Sequence, residues 1–156
     1  MFKELVESLI KQKLTIAAYE SLTGGLFTSL LTDVPNASLT VKGSLVTYTN
    51  VVKVKIGHVN AKIINQYGVV SAQTVLAMAQ ACQKLFASDI SVSFTGNAGP
   101  GMLDNLSVGV VYSCICYNNK TYPFTFNFNS NLTRSEIKLA VCQAVCTELL
   151  KIIGKN

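Results

Sequence analysis

The sequence predicts an α/β fold, a three-layer sandwich whose mixed, mostly parallel sheet carries helices on both faces. Three observations lead there. Short apolar runs alternate with helix-spaced amphipathic segments up to about residue 96. Two β-rich runs joined by "NNKT" then form a hairpin, and a long helical stretch closes the chain. Two glycine-bearing turns, 20–25 and 95–101, follow apolar strands, which is where such sheets place ligands.

Each element follows from its own residues. Residues 2–13 set Phe2, Leu5, Val6, Leu9 and Ile10 at helical spacing. Residues 14–19 are a short apolar run, read as a buried strand. Residues 23–34 read as a helix that Pro35 stops. "GSLVTYTN" (43–50) is rich in β-formers and reads as a strand, and "VVKVKIG" after it as a short helix. "NAKIINQYG" reads as a helix with Asn60 as N-cap and Gly68 just past its end. "VSAQTVLAMAQACQKLFAS" is the clearest helix, capped by Ser71. "DISVSFTG" (89–96) is a strand and "NAGPGMLDN" a loop. "LSVGVVYSCICY" and "YPFTFNF" are the hairpin strands, and Leu132 to Ile153 is a helix capped by Asn131 or Thr133.

Composition narrows the class. At 156 residues the chain is read as one domain, 1–156. Hydrophobic residues make up 49% and charged ones 13%, enough for a large core and too apolar for disorder. No apolar run reaches the ~18–20 residues of a membrane span, and "MFKELVESLIKQK" carries acids unlike a secretory signal. A cytoplasmic location without membrane contact is the expectation. The net charge is +5, from 12 Lys and a single Arg, Arg134. The lysines are scattered, which speaks against nucleic-acid binding and suggests mild attraction for anionic small molecules. The five cysteines, Cys82, Cys114, Cys116, Cys142 and Cys146, sit among apolar neighbours without a CxxC. They read as free, buried thiols rather than zinc ligands.

Two loops and three side chains carry candidate chemistry. In "YESLTGG" (19–25), Ser21 stands just before a helix whose first amides, from Thr23, Gly24 and Gly25, face whatever lies in front. That turn serves an oxyanion or a phosphate, or Ser21 or Thr23 merely caps the helix. A serine nucleophile needs a base. The one histidine, His58, lies in a polar connection; a lysine with a lowered pKa is the alternative. Lys53 follows "TYTN", where Tyr48 and Asn50 lie near enough in sequence to hold its amine, or it is a solvated helix lysine. "TGNAGPG" (95–101) is a shaped ligand loop or a tight crossover turn. Arg134 opens the last helix, to grip a phosphate or carboxylate or to pair with Glu136.

Five stretches taken in order, "YESLTGG", "LTDVPNAS", "GSLVTYTNVVKVKIGHV", "YGVVSAQTVLAMAQ" and "TGNAGP", resemble the CinA C-terminal domain family over residues 10–153. The corresponding family patterns are AESCTGG, LTDVPGSS, a GG-VV-YSN-AK stretch ending in LGV, GAVS and TGIAGP. The resemblance implies a nicotinamide-nucleotide amidase that converts nicotinamide mononucleotide to the nicotinate form and ammonia. It puts Ser21 on the nucleophile, Lys53 on the base and Tyr48 on the tyrosine beside them. Thr23, Gly24, Gly25, Thr95, Gly96, Asn97 and Arg134 then bind substrate, with Lys138 one turn beyond Arg134. It implies no cofactor and no metal, a small-molecule nucleotide substrate, a homo-oligomer of dimer type, and a stand-alone form of the domain. The sequence departs from the pattern at Tyr19 (for Ala), Leu22 (for Cys) and Asn97 (for an apolar residue). It also departs after "GPG", where "MLDNLSVG" replaces a longer stretch. That altered 97–107 loop keeps a second reading open, a catalytically silent nucleotide-binding or interaction module. The family's competence-linked name and the +5 charge supply a third, weaker reading, nucleic-acid binding.

Overall fold

The computed structural model describes residues 1–101, 103 and 105–154. Met102 and Asp104, part of the altered loop, lie outside the described residues. The helices are α1 (Phe2–Gln12), α2 (Leu26–Thr32), α3 (Asn50–Lys55), α4 (Ala61–Tyr67), α5 (Ala72–Phe86) and α6 (Arg134–Ile153). The strands are β1 (Ile16–Glu20), β2 (Val41–Val46), β3 (Ile90–Gly96), β4 (Val110–Tyr117) and β5 (Lys120–Asn127). They form one sheet in the order β2-β1-β3-β4-β5. β1 runs parallel to β2 and β3, while β4 is antiparallel to both β3 and β5. The sheet is therefore mixed, with every strand but β4 pointing the same way.

Side-chain alternation builds the two outer layers. Ile16 and Ala18 of β1 and Ile90, Val92 and Phe94 of β3 face one core. There they meet Leu5 and Leu9 of α1, Phe27 and Leu31 of α2, and Ile137, Val141 and Leu149 of α6. Ala17 and Tyr19 of β1 face the other side with Ile64 of α4 and Met78 and Cys82 of α5. On that face β3 presents Ser91 and Ser93, whose hydroxyls donate to Ala79 O and Val75 O of α5 at 2.7 and 2.6 Å. Small hydroxyl residues let the helix sit close to the sheet without leaving a buried polar group unpaired.

The cysteines divide between the layers. Cys82 of α5 and Cys114 and Cys116 of β4 lie on one face of the sheet, and Cys142 and Cys146 of α6 on the other. All five are free and buried, and the sheet between the two groups prevents a four-thiol site. Among the described residues no group of metal-binding side chains is found, and no helix is long and apolar enough to cross a membrane.

Boundaries differ from the sequence reading where local chemistry overrides pattern. α2 begins at Leu26 rather than near 23, because Gly24 and Gly25 take left-handed conformations (φ 62° and 96°). The strand expected over 43–50 ends at Val46, and Thr49 caps α3 by accepting from Val52 N at 3.4 Å. β4 begins at Val110, so "LSVG" belongs to the loop before it. The hairpin turn holds Asn118 and Asn119, both with positive φ, as a two-residue connection requires. Ser71 and Asn60 cap their helices as expected.

Thr133 and Glu136 form a reciprocal cap at the start of α6, with Glu136 Oε2 accepting from Thr133 N at 2.7 Å. Thr133→Ala is expected to cost about 1 kcal/mol. A thermal melt followed by circular dichroism should show the midpoint falling by roughly 2–4 °C.

Candidate active site

The tips of β1 and β2 and the first turn of α3 set the central geometry. Ser21 is the first residue past β1. Thr47, just past β2, donates its amide to Glu20 O at 3.1 Å and so ties the two strand ends together. α3 then turns the chain back, which carries the Lys53 side chain inward rather than to solvent; it is 1% exposed. Its Nζ lies 2.9 Å from Ser21 Oγ and 2.9 Å from Thr47 O. Burial lowers the Lys53 pKa from 10.5 to about 8. On that value roughly a tenth of the amine is neutral at pH 7. In that form it can accept the Ser21 proton while still donating to Thr47 O.

The glycine turn works differently from the sequence reading. The Glu20 carboxylate is fully buried and fills the end of α2. It accepts from Gly25 N at 3.1 Å, Phe27 N at 3.0 Å, Thr28 N at 3.0 Å and Thr28 Oγ1 at 2.7 Å. Ser44 Oγ adds a donor at 3.3 Å. Gly24 N donates to Ser21 O at 3.0 Å. The Gly24 and Gly25 amides expected to face a ligand are thus spent inside the protein. The helix cap is the Glu20 side chain, not Ser21 or Thr23. Thr23 is fully buried, and its Oγ1 has no partner among the described residues. Among the described residues no hydrogen bond engages the backbone amides of Leu22 and Thr23, the two that follow Ser21 in the chain.

Tyr48 and Asn50 do not hold the Lys53 amine. Tyr48 is 60% exposed, and its hydroxyl accepts from Arg134 Nη2. Arg134 Nη1 donates to Gly99 O. Glu136 is occupied in the cap of α6, and the alternative reading in which Arg134 pairs with it finds no ion pair among the described residues. Arg134 instead joins α6 to the turn before α3 and to the 95–101 loop. Ser21, Leu22, Tyr48, Asn50, Thr95 and Arg134 face a pocket of about 420 Å³, whose apolar wall includes Val69, Val70 and Ala98. Lys138 Nζ lies outside that wall, 3.6 Å from where a Cβ on Gly24 would stand.

The second glycine loop is a pocket wall whose polar side chains are already engaged. Thr95 Oγ1 donates to Val69 O at 2.8 Å. Asn97 Nδ2 donates to Gly101 O at 2.8 Å and Leu106 O at 3.2 Å, and its Oδ1 accepts from Gly99 N at 2.9 Å. Asn97 therefore closes the altered loop on itself. Gly96 has no room for a side chain, since a Cβ there would lie 2.8 Å from Val110 O. His58 is exposed, with a positive φ of 55°, and the hydrogen-bond partner of Ser21 Oγ is Lys53 instead.

Sequence reasoning missed Tyr19 and Thr47 as parts of this site. Tyr19 is fully buried and its hydroxyl accepts from Thr47 Oγ1 at 3.1 Å. A signal for it was present, since Tyr is a polar-tipped choice for an otherwise apolar strand facing a helix.

Comparison with known proteins follows the same lines. The sequence profile of the CinA C-terminal domain matches residues 1–153. "Protein MG115 homolog" of Mycoplasma pneumoniae is 35% identical over 156 residues, covering 99% of each chain. "CinA-like protein" of Endomicrobium trichonymphae is 40% identical over 150 residues, 95% of this chain and 35% of that protein. The chain thus spans about a third of the length of some relatives and nearly all of others. Among solved structures, the competence/damage inducible protein CihA from Agrobacterium tumefaciens superposes with a TM-score of 0.88 at 30% identity, covering 98% of this chain and 95% of that one. A CinA superfamily protein from Enterobacter cloacae gives 0.91 at 25% identity, covering 98% and 92%.

The buried amine has a stability consequence whose sign is fixed. A lysine whose folded pKa is lowered binds fewer protons folded than unfolded between about pH 8 and 10.5, so stability rises with pH across that window. Lys53→Met removes this liability. The variant is expected to resist urea better than wild type at pH 7, by at most about 3 kcal/mol. The gap should narrow as pH climbs toward 10; a constant gap would show that burial does not depress this amine.

Proposed function

The chain belongs to the CinA C-terminal domain family, and on that premise we propose that it is an amidohydrolase converting nicotinamide mononucleotide to nicotinate mononucleotide and ammonia. The observation that carries the reading is the buried Lys53 Nζ at 2.9 Å from Ser21 Oγ. Supporting it are the adjoining pocket and an arginine at its mouth.

In this reading neutral Lys53 takes the Ser21 proton as Oγ attacks the carboxamide carbon. The oxyanion meets the Leu22 and Thr23 amides, since those of Gly24 and Gly25 are engaged. The C–N bond breaks, and Lys53 returns the proton to the departing nitrogen, which leaves as ammonia. Water then attacks the acyl ester, with Lys53 again as base. The carboxylate leaves and Ser21 regains its proton. The apolar wall of Val69, Val70 and Ala98 suits the pyridine ring. Arg134 suits an anionic group and exchanges its neutral acceptors for it.

The second reading, a catalytically silent nucleotide-binding module, draws on the altered loop that Asn97 ties down.

The test is ammonia release from nicotinamide mononucleotide. Wild type should turn over, with activity rising through about pH 8 as Lys53 loses its proton. Ser21→Ala should lose at least about 10³-fold in kcat, since little is left once the nucleophile goes. Equal rates would remove Ser21 from the chemistry. Binding of the nucleotide without turnover by wild type would favour the silent module.

A further inference from the structure

We infer that Tyr19 and Thr47 form a brace that holds the Lys53 amine against Ser21, making Tyr19 a positioning residue for the proposed dyad. The inference rests on the reading of Ser21 and Lys53 given above, and goes beyond it to a side chain whose hydrogen bond is to neither Ser21 Oγ nor Lys53 Nζ.

The chain of contacts is continuous. Tyr19 Oη accepts from Thr47 Oγ1 at 3.1 Å. Thr47 O accepts from Lys53 Nζ at 2.9 Å, and Lys53 Nζ reaches Ser21 Oγ at 2.9 Å. Thr47 is held at a third atom, its amide, which donates to Glu20 O at 3.1 Å. Without the phenol, the side chain of Thr47 loses its anchor and its carbonyl is fixed from one side only.

The space around the phenol is built for it. A Cβ added at Gly57 would lie 1.6 Å from Tyr19 Oη and 2.7 Å from Lys53 O. The hydroxyl therefore fits only because residue 57 is glycine. It sits between the segment that precedes α3 and the turn that follows it. Gly57 N is itself tied to Val52 O at 3.0 Å. The phenol thus braces the short helix that bears Lys53 at both ends. Packing against Met78 and Cys82 needs only the ring. The hydroxyl is buried at a desolvation cost, and the hydrogen bond found for it among the described residues is the one from Thr47.

Tyr19→Phe keeps the ring and deletes the hydroxyl, while Thr47→Val deletes the partner and keeps the carbonyl. Lys53 titration is read by NMR on protein with ¹³C-labelled lysine, its signal assigned by its loss in Lys53→Met. This arm needs no substrate. Each single variant is expected to displace the midpoint of the Lys53 titration to higher pH, about threefold or more in its proton affinity. The direction is upward because an amine released from Thr47 turns toward the pocket's water. The double variant should move the midpoint no further than either single one. In turnover of nicotinamide mononucleotide, kcat at pH 7 should fall in proportion to the neutral fraction of Lys53, about threefold or more. Its rising limb should be displaced equally, with KM within about twofold. An unmoved titration in both singles, or displacements that add in the double, overturns the brace. Should Tyr19→Phe fail to fold, Thr47→Val alone decides by the same criterion. If wild type releases no ammonia while the titration moves as described, the brace stands and the proposed activity falls.

Discussion

A lysine amine held out of water between a serine hydroxyl and a main-chain carbonyl is the interaction on which the rest of this structure depends. Nothing about Lys53 in isolation favours that position, since burying an ammonium is costly and the side chain is otherwise free to reach solvent. It is held there by backbone. β1 and β2 are parallel neighbours in register, with Glu20 opposite Val46, so their tips end side by side. The turn after β2 is capped by Thr49 and at once becomes α3, which returns residue 53 to the tip of β1. The lowered pKa is the consequence of this route.

The same tip explains why Glu20 stands next to Ser21. A helix beginning directly behind Ser21 offers several unpaired amides, and these would draw an anion to the helix end. Glu20 occupies them with an internal side chain to which two hydroxyls also donate. It fixes the start of α2 and holds the Gly25 amide, while Gly24 N is turned back to Ser21 O, so neither amide is left for a ligand. The glycines are there for backbone shape: both adopt left-handed conformations that a side chain would strain.

Much of the architecture was legible from the sequence, and the reasons differ from element to element. α1 declares itself through spacing, α5 through spacing and its Ser71 cap, and the β4–β5 turn through paired asparagines that tolerate positive φ. The boundary at 46–50 was not legible, because "VTYTN" has strand composition while Thr49 acts as a cap only once the chain has turned. Ser21 and Lys53 could be named from their types and from the scarcity of histidine, and the structure brings them together. Their supports were harder to name. A carbonyl such as that of Thr47 carries no residue identity, and only its polar tip sets Tyr19 apart from the other positions of an apolar strand. Tyr48 illustrates the converse. Sequence proximity put it beside Lys53, whereas α3 turns Lys53 inward and leaves Tyr48 outside with Arg134.

Arg134 adds the last constraint on what this pocket accepts. The two ion pairs found among the described residues, Lys3–Glu7 and Lys151–Glu148, both lie along helix surfaces. Arg134 has no such partner among those residues. Its guanidinium is satisfied by a carbonyl and a phenol, both neutral, which meet its hydrogen-bond geometry and leave its charge uncompensated. Close by, a protonated Lys53 would add a second positive charge behind Ser21, and Lys138 a third near Gly24. A neutral amide of similar shape would gain only the apolar wall of Val69 and Val70 from this site. A ligand with an anionic tail would also gain charge-assisted bonds to a fork already placed by three segments of chain.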